Sequence, residues 1–246
     1  MRLKDRTAII TGAGGDLGRG MALRFAEEGA RIVVNDKNLL RAEETVRLVA
    51  EKGGMAIAHG ADVTSFTEVS DMARTTLDKW GKIDILVNNA GDVKDALLVK
   101  MTEEQWDFVV DLCLKGSFVC AKSVAPHMIE RKFGKIVNLT SMAYKGNVGQ
   151  ANYVAAKAGI VGLTHALGLE LARYNINVNC VAPGLIDTPK SAGLPVEVRE
   201  RLLKIVPLRR MGDIVDIANA VVFLTSEEAK YITRHTIHVS GGMEGF

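Results

Sequence analysis

The chain has 246 residues, 48% hydrophobic and 24% charged, with 31 Lys and Arg against 29 Asp and Glu for a net charge of +2. That balance fits a single soluble globular domain, 1–246, and excludes a disordered chain or a general nucleic-acid binder, which concentrates basic charge. No uninterrupted apolar run reaches the roughly 18 residues of a membrane span. In chain order, TAIIT (7–11), RIVVN (31–35), MAIAH (55–59), IDILV (83–87), KIVNLT (135–140), INVNCVA (176–182) and TIHVS (236–240) read as short buried strands. Helical patterns lie between them, near 18–29, 38–52, 65–80, 105–130, 152–173 and 213–225. Strand then helix, repeated, builds right-handed crossovers on a parallel sheet. Helices on both faces explain why the strands lack polar–apolar alternation. The segment 184–212 breaks the rhythm, with Pro183, Pro189, Pro195 and Pro207 around VEVRERLLKI. It follows a strand's carboxyl end, where open α/β sheets bind ligands, and reads as a substrate lid. MRLKDRTAII runs into the first strand with no signal-peptide core behind it. Cys113, Cys120 and Cys180 have no metal-site spacing and cannot all pair, which fits a reduced, cytoplasmic protein.

The first strand runs into TGAGGDLG, where Gly12, Gly14, Gly15 and Gly18 allow a tight turn and close approach to a bound group. A helix opens near Leu17, and its free N–H groups suit a pyrophosphate. The expected fold is a Rossmann-like, doubly wound, mostly parallel seven-stranded α/β sheet. Asp36 closes the second strand, where a carboxylate accepts both hydroxyls of an adenosine ribose and repels a 2′-phosphate. NAD is therefore expected over NADP, although the Lys37 ammonium softens the distinction.

These motifs resemble those of the short-chain dehydrogenase/reductase family, in its compact type with 3-oxoacyl-carrier-protein reductases and glucose dehydrogenases. TGAGGDLG departs from the family pattern only at Asp16, which stands where the middle glycine is usual; a carboxylate there is unfavourable unless it points to solvent. The resemblance implies that Asp62 and Val63 lie against the adenine. It implies that Asn89, Ala90 and Gly91 of NNAG form the cofactor wall. Pro183, Gly184 and Thr188 would then flank the nicotinamide.

Tyr153 and Lys157 are four apart on a helix, so both side chains leave one face. An ammonium beside a phenol favours the phenolate, which suits proton transfer at an alcohol oxygen. The resemblance assigns that transfer to Tyr153, and to Lys157 the steadying of the phenolate and the grip on the nicotinamide ribose. Two hydroxyls compete to complete the site. In the resemblance the family's usual spacing before the tyrosine selects Thr140, whereas the family's local motif selects Ser141, and Ser141 is the expected third catalytic residue. Cys113 stands where the family has an asparagine that holds a water leading from the lysine. No metal is needed, and the five histidines lack ligand spacing.

The resemblance implies hydride transfer between the nicotinamide and a secondary alcohol or ketone carbon, the substrate being a small alcohol, a ketone or an acyl thioester. An NADPH-linked 3-oxoacyl-carrier-protein reductase is the alternative, since those enzymes generally use NADPH. A non-catalytic dinucleotide-binding protein is a further one. A homotetramer is implied by resemblance, with Phe246 and the VSGG segment at a subunit boundary.

Overall fold

The structure is a computed structural model that describes residues 1–193 and 196–245. Pro195 of the insertion and the terminal Phe246 lie outside the described residues. Seven strands form one sheet: β1 (Thr7–Ile10), β2 (Arg31–Asn35), β3 (Met55–His59), β4 (Ile85–Asn88), β5 (Gly134–Leu139), β6 (Ile176–Pro183) and β7 (Thr236–Val239). Their order is β3-β2-β1-β4-β5-β6-β7, and every neighbouring pair is parallel. The order reverses between β1 and β4, which opens a crevice at their carboxyl ends.

Alternate residues of each strand face opposite helical layers. Ile10, Ile32, Val34, Val87 and Val137 pack into one core with Met21, Phe25 and Val221. Ile9, Val33, Leu86, Ile136 and Val178 pack into the other with Met72, Val124 and Met128. The first layer holds α1 (Asp16–Glu27), α2 (Leu39–Glu51) and α9 (Ile214–Thr225). The second is built on α3 (Phe66–Trp80), α5 (Gly116–Arg131) and α6 (Ala151–Leu171).

Local chemistry sets most helix starts. The Asn38 side chain accepts from Leu40 N at the start of α2, and Ser65 accepts from Glu68 N at the start of α3. Gly81 ends α3 at φ 71°, the left-handed cap that glycine takes without strain. α4 (Glu103–Val110) opens with a Thr102/Gln105 capping box.

The single helix expected over 105–130 is two helices. Between α4 and α5 lies a five-residue π-turn, Asp111–Lys115, closed by Gly116 N–H on Asp111 O. The insertion carries two short helices, α7 (Pro189–Ala192) and α8 (Val196–Lys204). A parallel bridge between Ile186 and Gly212 joins its two ends. Asp187 N donates to Gly212 O at 2.8 Å and Gly212 N to Leu185 O at 3.0 Å.

From Ala151 to Tyr174 the chain is long and apolar enough to cross a membrane by length and composition. A third of its most apolar window is buried, with Ala156, Ile160, Thr164 and Leu171 turned inward. Cys113, Cys120 and Cys180 are all free and buried.

Candidate active site

A cleft of about 980 Å³ runs along the carboxyl ends of the strands. Its floor is stitched by Thr11, at the end of β1. The Thr11 hydroxyl accepts Asn89 N at 3.0 Å and Ala90 N at 3.1 Å, and Asn89 Nδ2 donates to Thr11 O at 2.9 Å. These bonds lock the turn after β4 against the glycine turn after β1. Gly18 makes that contact close, since a Cβ on it would lie 2.5 Å from Gly12 O and 2.7 Å from Ala13 Cα. Gly12 itself sits at φ 62°.

α1 begins at Gly15 with no side-chain cap, so its first N–H groups lie free at the rim of the cleft. An uncapped helix start between close-packed glycines is the donor set a dinucleotide diphosphate needs, and the residues present fit such a cofactor. Asp16, the departure from the family motif, is exposed to solvent. Gly12, Gly15, Asp16, Leu17 and Gly18 line the cleft, and so do Asp36, Asp62 and Val63. Gly14 does not; it backs the turn, where a Cβ would meet Asp36 Oδ2 and Arg41 Cβ, each at 2.7 Å.

The Lys37 ammonium, expected to soften the preference for NAD, is held by Asp62 Oδ2 at 2.6 Å. Burial raises the Asp62 carboxyl, but Lys37 and the N–H and hydroxyl of Thr64 outweigh it and bring the pKa down to about 2. Arg41 is the residue that sequence reasoning missed. It lines the cleft beside Asp36, and its Nη2 lies 3.7 Å from the Cβ position of Gly15. No spacing rule flags it, because its approach comes from the angle at which α2 leaves β2.

At the other end, Asn89, Ala90, Gly91, Ser141, Tyr153, Lys157, Pro183, Gly184 and Thr188 line the same cleft. Tyr153 lies in the first turn of α6, and Lys157 Nζ stands 5.4 Å from its ring centroid. Lys157 is buried, and its ammonium donates to Leu139 O at 2.7 Å. Burial alone would lower its pKa; the neighbouring Tyr153, Cys113 and Cys180 outweigh that and raise it above the ordinary lysine value.

The two competing hydroxyls are arranged differently. Thr140 is buried and spends its proton on Lys157 O at 2.7 Å. Ser141 accepts Ala143 N at 3.2 Å, which leaves its own O–H free to donate into the cleft. Cys113 is buried in the π-turn, its thiol facing Asp92 O at 3.8 Å. The cleft mouth is braced by Gln150 Nε2, which donates to both carboxylate oxygens of Asp95 at 3.0 and 3.1 Å.

A family described as enoyl-(acyl carrier protein) reductase matches residues 12–244. The chain belongs to the short-chain dehydrogenase/reductase family. It is an NAD(P)-dependent oxidoreductase of that family, acting on an alcohol or ketone. The 3-oxoacyl-[acyl-carrier-protein] reductase FabG of Staphylococcus epidermidis is 45% identical over 241 residues, 97% of this chain and 99% of that relative. The (2S)-[(R)-hydroxy(phenyl)methyl]succinyl-CoA dehydrogenase subunit BbsD of Thauera aromatica is 42% identical over 246 residues, 100% of this chain and 99% of the relative. A crystal structure described as a short-chain alcohol dehydrogenase from Sinorhizobium meliloti 1021 superposes with a TM-score of 0.93 at 37% identity, covering 98% of this chain and 97% of that one.

These likenesses overturn one expectation. Asp36 pointed to NAD over NADP, but the chain is 40–45% identical to short-chain dehydrogenase/reductases named as 3-oxoacyl-carrier-protein reductases, the group that the sequence reading ties to NADPH. The structure supplies a physical reason. The Asp36 carboxylate accepts Asn38 N at 3.0 Å, and Arg41 lines the same cleft with its Nη2 3.7 Å from the Cβ position of Gly15, where a guanidinium can meet a 2′-phosphate.

Proposed function

We propose that the protein reduces the ketone of a 3-oxoacyl thioester to a hydroxyl, with NADPH as the reductant. The observation that carries this reading is the full-length likeness to two kinds of relative. One is named as a 3-oxoacyl-[acyl-carrier-protein] reductase and the other as a hydroxy(phenyl)methylsuccinyl-CoA dehydrogenase subunit, and both names place an oxygen-bearing carbon in an acyl thioester.

When bound, NADPH supplies a hydride to the ketone carbon. The rest falls to the protein. Tyr153 gives its phenolic proton to the ketone oxygen, and the free Ser141 O–H donates to the same oxygen. Lys157, charged and anchored on Leu139 O, steadies the Tyr153 phenolate and holds the nicotinamide ribose. Gly12, Gly15, Leu17 and Gly18 hold the diphosphate at the α1 start, with Gly14 keeping room for Asp36 and Arg41 behind it. With the cofactor bound, Asp62 and Val63 of the cleft lining would lie along the adenine, Asn89, Ala90 and Gly91 would form the wall, and Pro183, Gly184 and Thr188 would flank the nicotinamide. The insertion between the Ile186–Gly212 bridge residues serves as the lid. A cytoplasmic homotetramer is the assembly proposed. The apolar surface that α6 leaves uncovered supports it, and light scattering of the purified protein tests it.

Oxidation of NADPH followed at 340 nm with acetoacetyl-CoA tests the activity. Turnover of the thioester well above that of a simple ketone such as acetone is expected. Equal rates on both, or turnover with NADH alone, would overturn the reading.

A further inference from the structure

A proton donor works only where it meets the oxygen it serves, and a misplacement of about 1 Å costs on the order of 10²-fold in rate. Tyr153 stands in the first turn of α6, whose N-cap residue Gln150 gives no side-chain cap. The first N–H groups of a helix have no intrahelical partner, and such ends fray unless other groups hold them.

The neighbouring Asn152 holds this one. Its side chain is fully buried. Asn152 Nδ2 donates to Lys94 O at 3.0 Å and to Gln105 O at 2.9 Å, and Asn152 Oδ1 accepts Tyr153 N at 2.8 Å. Two carbonyls on one side and an N–H on the other require an amide. A carboxylate would set acceptors against both carbonyls, and a single hydroxyl has one proton for the two.

The two carbonyls belong to two different walls of the substrate end of the cleft. Lys94 lies in the loop after β4, whose Val93 and Asp95 line the cleft, and Gln105 lies in α4, whose Phe108 lines it. The loop is tied to the α6 start a second time, by Ala96 N donating to Gly149 O at 2.8 Å and by the parallel bridge between Ala96 and Gln150. α4 is fixed at Gln105 by its capping box, in which Thr102 N donates to Gln105 Oε1 at 3.0 Å and Gln105 N to Thr102 Oγ1 at 3.2 Å. One amide therefore joins the backbone of Tyr153 to both surfaces against which a substrate would rest.

We propose that Asn152 is a positioning residue, which sets the Tyr153 phenol against the substrate ketone by tying its backbone to the loop after β4 and to α4. Lys157 supplies the charge beside the phenol, and Asn152 fixes where the phenol stands. Deleting the amide releases the first turn of α6 from both walls. The glycine turn and its Thr11–Asn89 bonds lie on other elements, so the grip on the cofactor stays.

The proposal rests on the thioester reductase reading, and a double-mutant cycle with its parent control separates the two. Asn152→Ala and Asn152→Ser are each made alone and together with Tyr153→Phe. NADPH affinity is read by fluorescence titration, and kcat and KM from NADPH oxidation at 340 nm with acetoacetyl-CoA, at high enzyme concentration for the slow proteins. A residue that acts through the Tyr153 hydroxyl loses its effect once that hydroxyl is gone, whereas independent losses multiply. In at least one single variant, NADPH affinity is expected within about twofold of the parent and KM within about threefold, with kcat lower by about tenfold or more. The same change added to Tyr153→Phe is expected to alter kcat by less than about twofold. A kcat within about twofold of the parent in a variant that binds NADPH normally, or an undiminished loss on top of Tyr153→Phe, would overturn the proposal. Loss of NADPH binding in both variants would overturn it too, since Asn152 would then support the whole cleft. No oxidation by the parent would instead overturn the thioester reading; the cycle is then run with a ketone that the parent does reduce, and it judges the role of Asn152 there.

Discussion

Thr140 and Ser141 are adjacent hydroxyls whose removal is expected to damage different properties. Thr140→Ala deletes the 2.7 Å bond to Lys157 O in a fully packed setting and leaves that carbonyl without the hydroxyl donor. Lys157 O keeps its bond within α6, so the loss is that of one buried hydrogen bond, about 1 kcal/mol. In a chain of this size that lowers Tm by roughly 2–4 °C. Turnover changes little, because Lys157 Nζ keeps its own anchor on Leu139 O. Ser141→Ala has the opposite profile. It loses the 3.2 Å cap on Ala143 N, a contribution of about 1 kcal/mol at most sites of this kind. It also removes the O–H aimed at the ketone oxygen, and loss of one such donor lowers kcat by about 10²–10³-fold. Thermal unfolding and NADPH-linked turnover of both variants check the pair. A Thr140→Ala protein with intact Tm and a hundredfold lower kcat, beside a near-normal Ser141→Ala, would refute the assignment.

Arg41→Ala is expected to weaken NADPH about tenfold, or ~1.4 kcal/mol, while leaving NADH unchanged, because only the 2′-phosphate meets the guanidinium; titration of tryptophan fluorescence with each cofactor measures both. Gly18→Ala drives a Cβ to 2.5 Å from Gly12 O, backbone that must shift, so cofactor affinity falls for NADPH and NADH alike in the same titration. Glu28 gives a pH signature through its bonds to Arg2 N, the Arg2 side chain and Arg24, which hold its carboxyl down at about 2. A depressed carboxylate stabilises the fold above its unfolded pKa and loses that contribution as pH falls through the folded value. The Tm difference between parent and Glu28→Gln is therefore full above about pH 4.5 and closes toward pH 2; a difference that stays constant over that range would contradict it.

The strands were legible because both faces are buried: in IVV of β2, Ile32 and Val34 enter one core and Val33 the other, so the run is apolar throughout. The glycine turn was legible for a related reason, since its residues are dictated by contacts as short as 2.5 Å that admit no side chain. The π-turn was not, because Asp111–Lys115 differs from its flanking helices by one hydrogen-bond step and leaves the hydrophobic pattern of 105–130 intact. Charge near the adenosine ribose was misjudged through orientation. Lys37 follows Asp36 in sequence but turns to Asp62, whereas Arg41 reaches the cleft from the first turn of α2. Local motif rules carry no information on either direction. The choice of Ser141 over Thr140 rested on a pattern, and only the hydrogen bonds reveal which hydroxyl keeps a proton to donate.

Tyr153→Phe tests the central claim most directly, because it deletes one proton-bearing oxygen and keeps the ring that packs in the core around Val109 and Ile160. NADPH affinity is read by fluorescence titration and kcat by NADPH oxidation with acetoacetyl-CoA. Affinity within twofold of the parent, with kcat lower by at least ~10²-fold, is the predicted result. A Tyr153→Phe protein that keeps half the parent kcat would contradict the account.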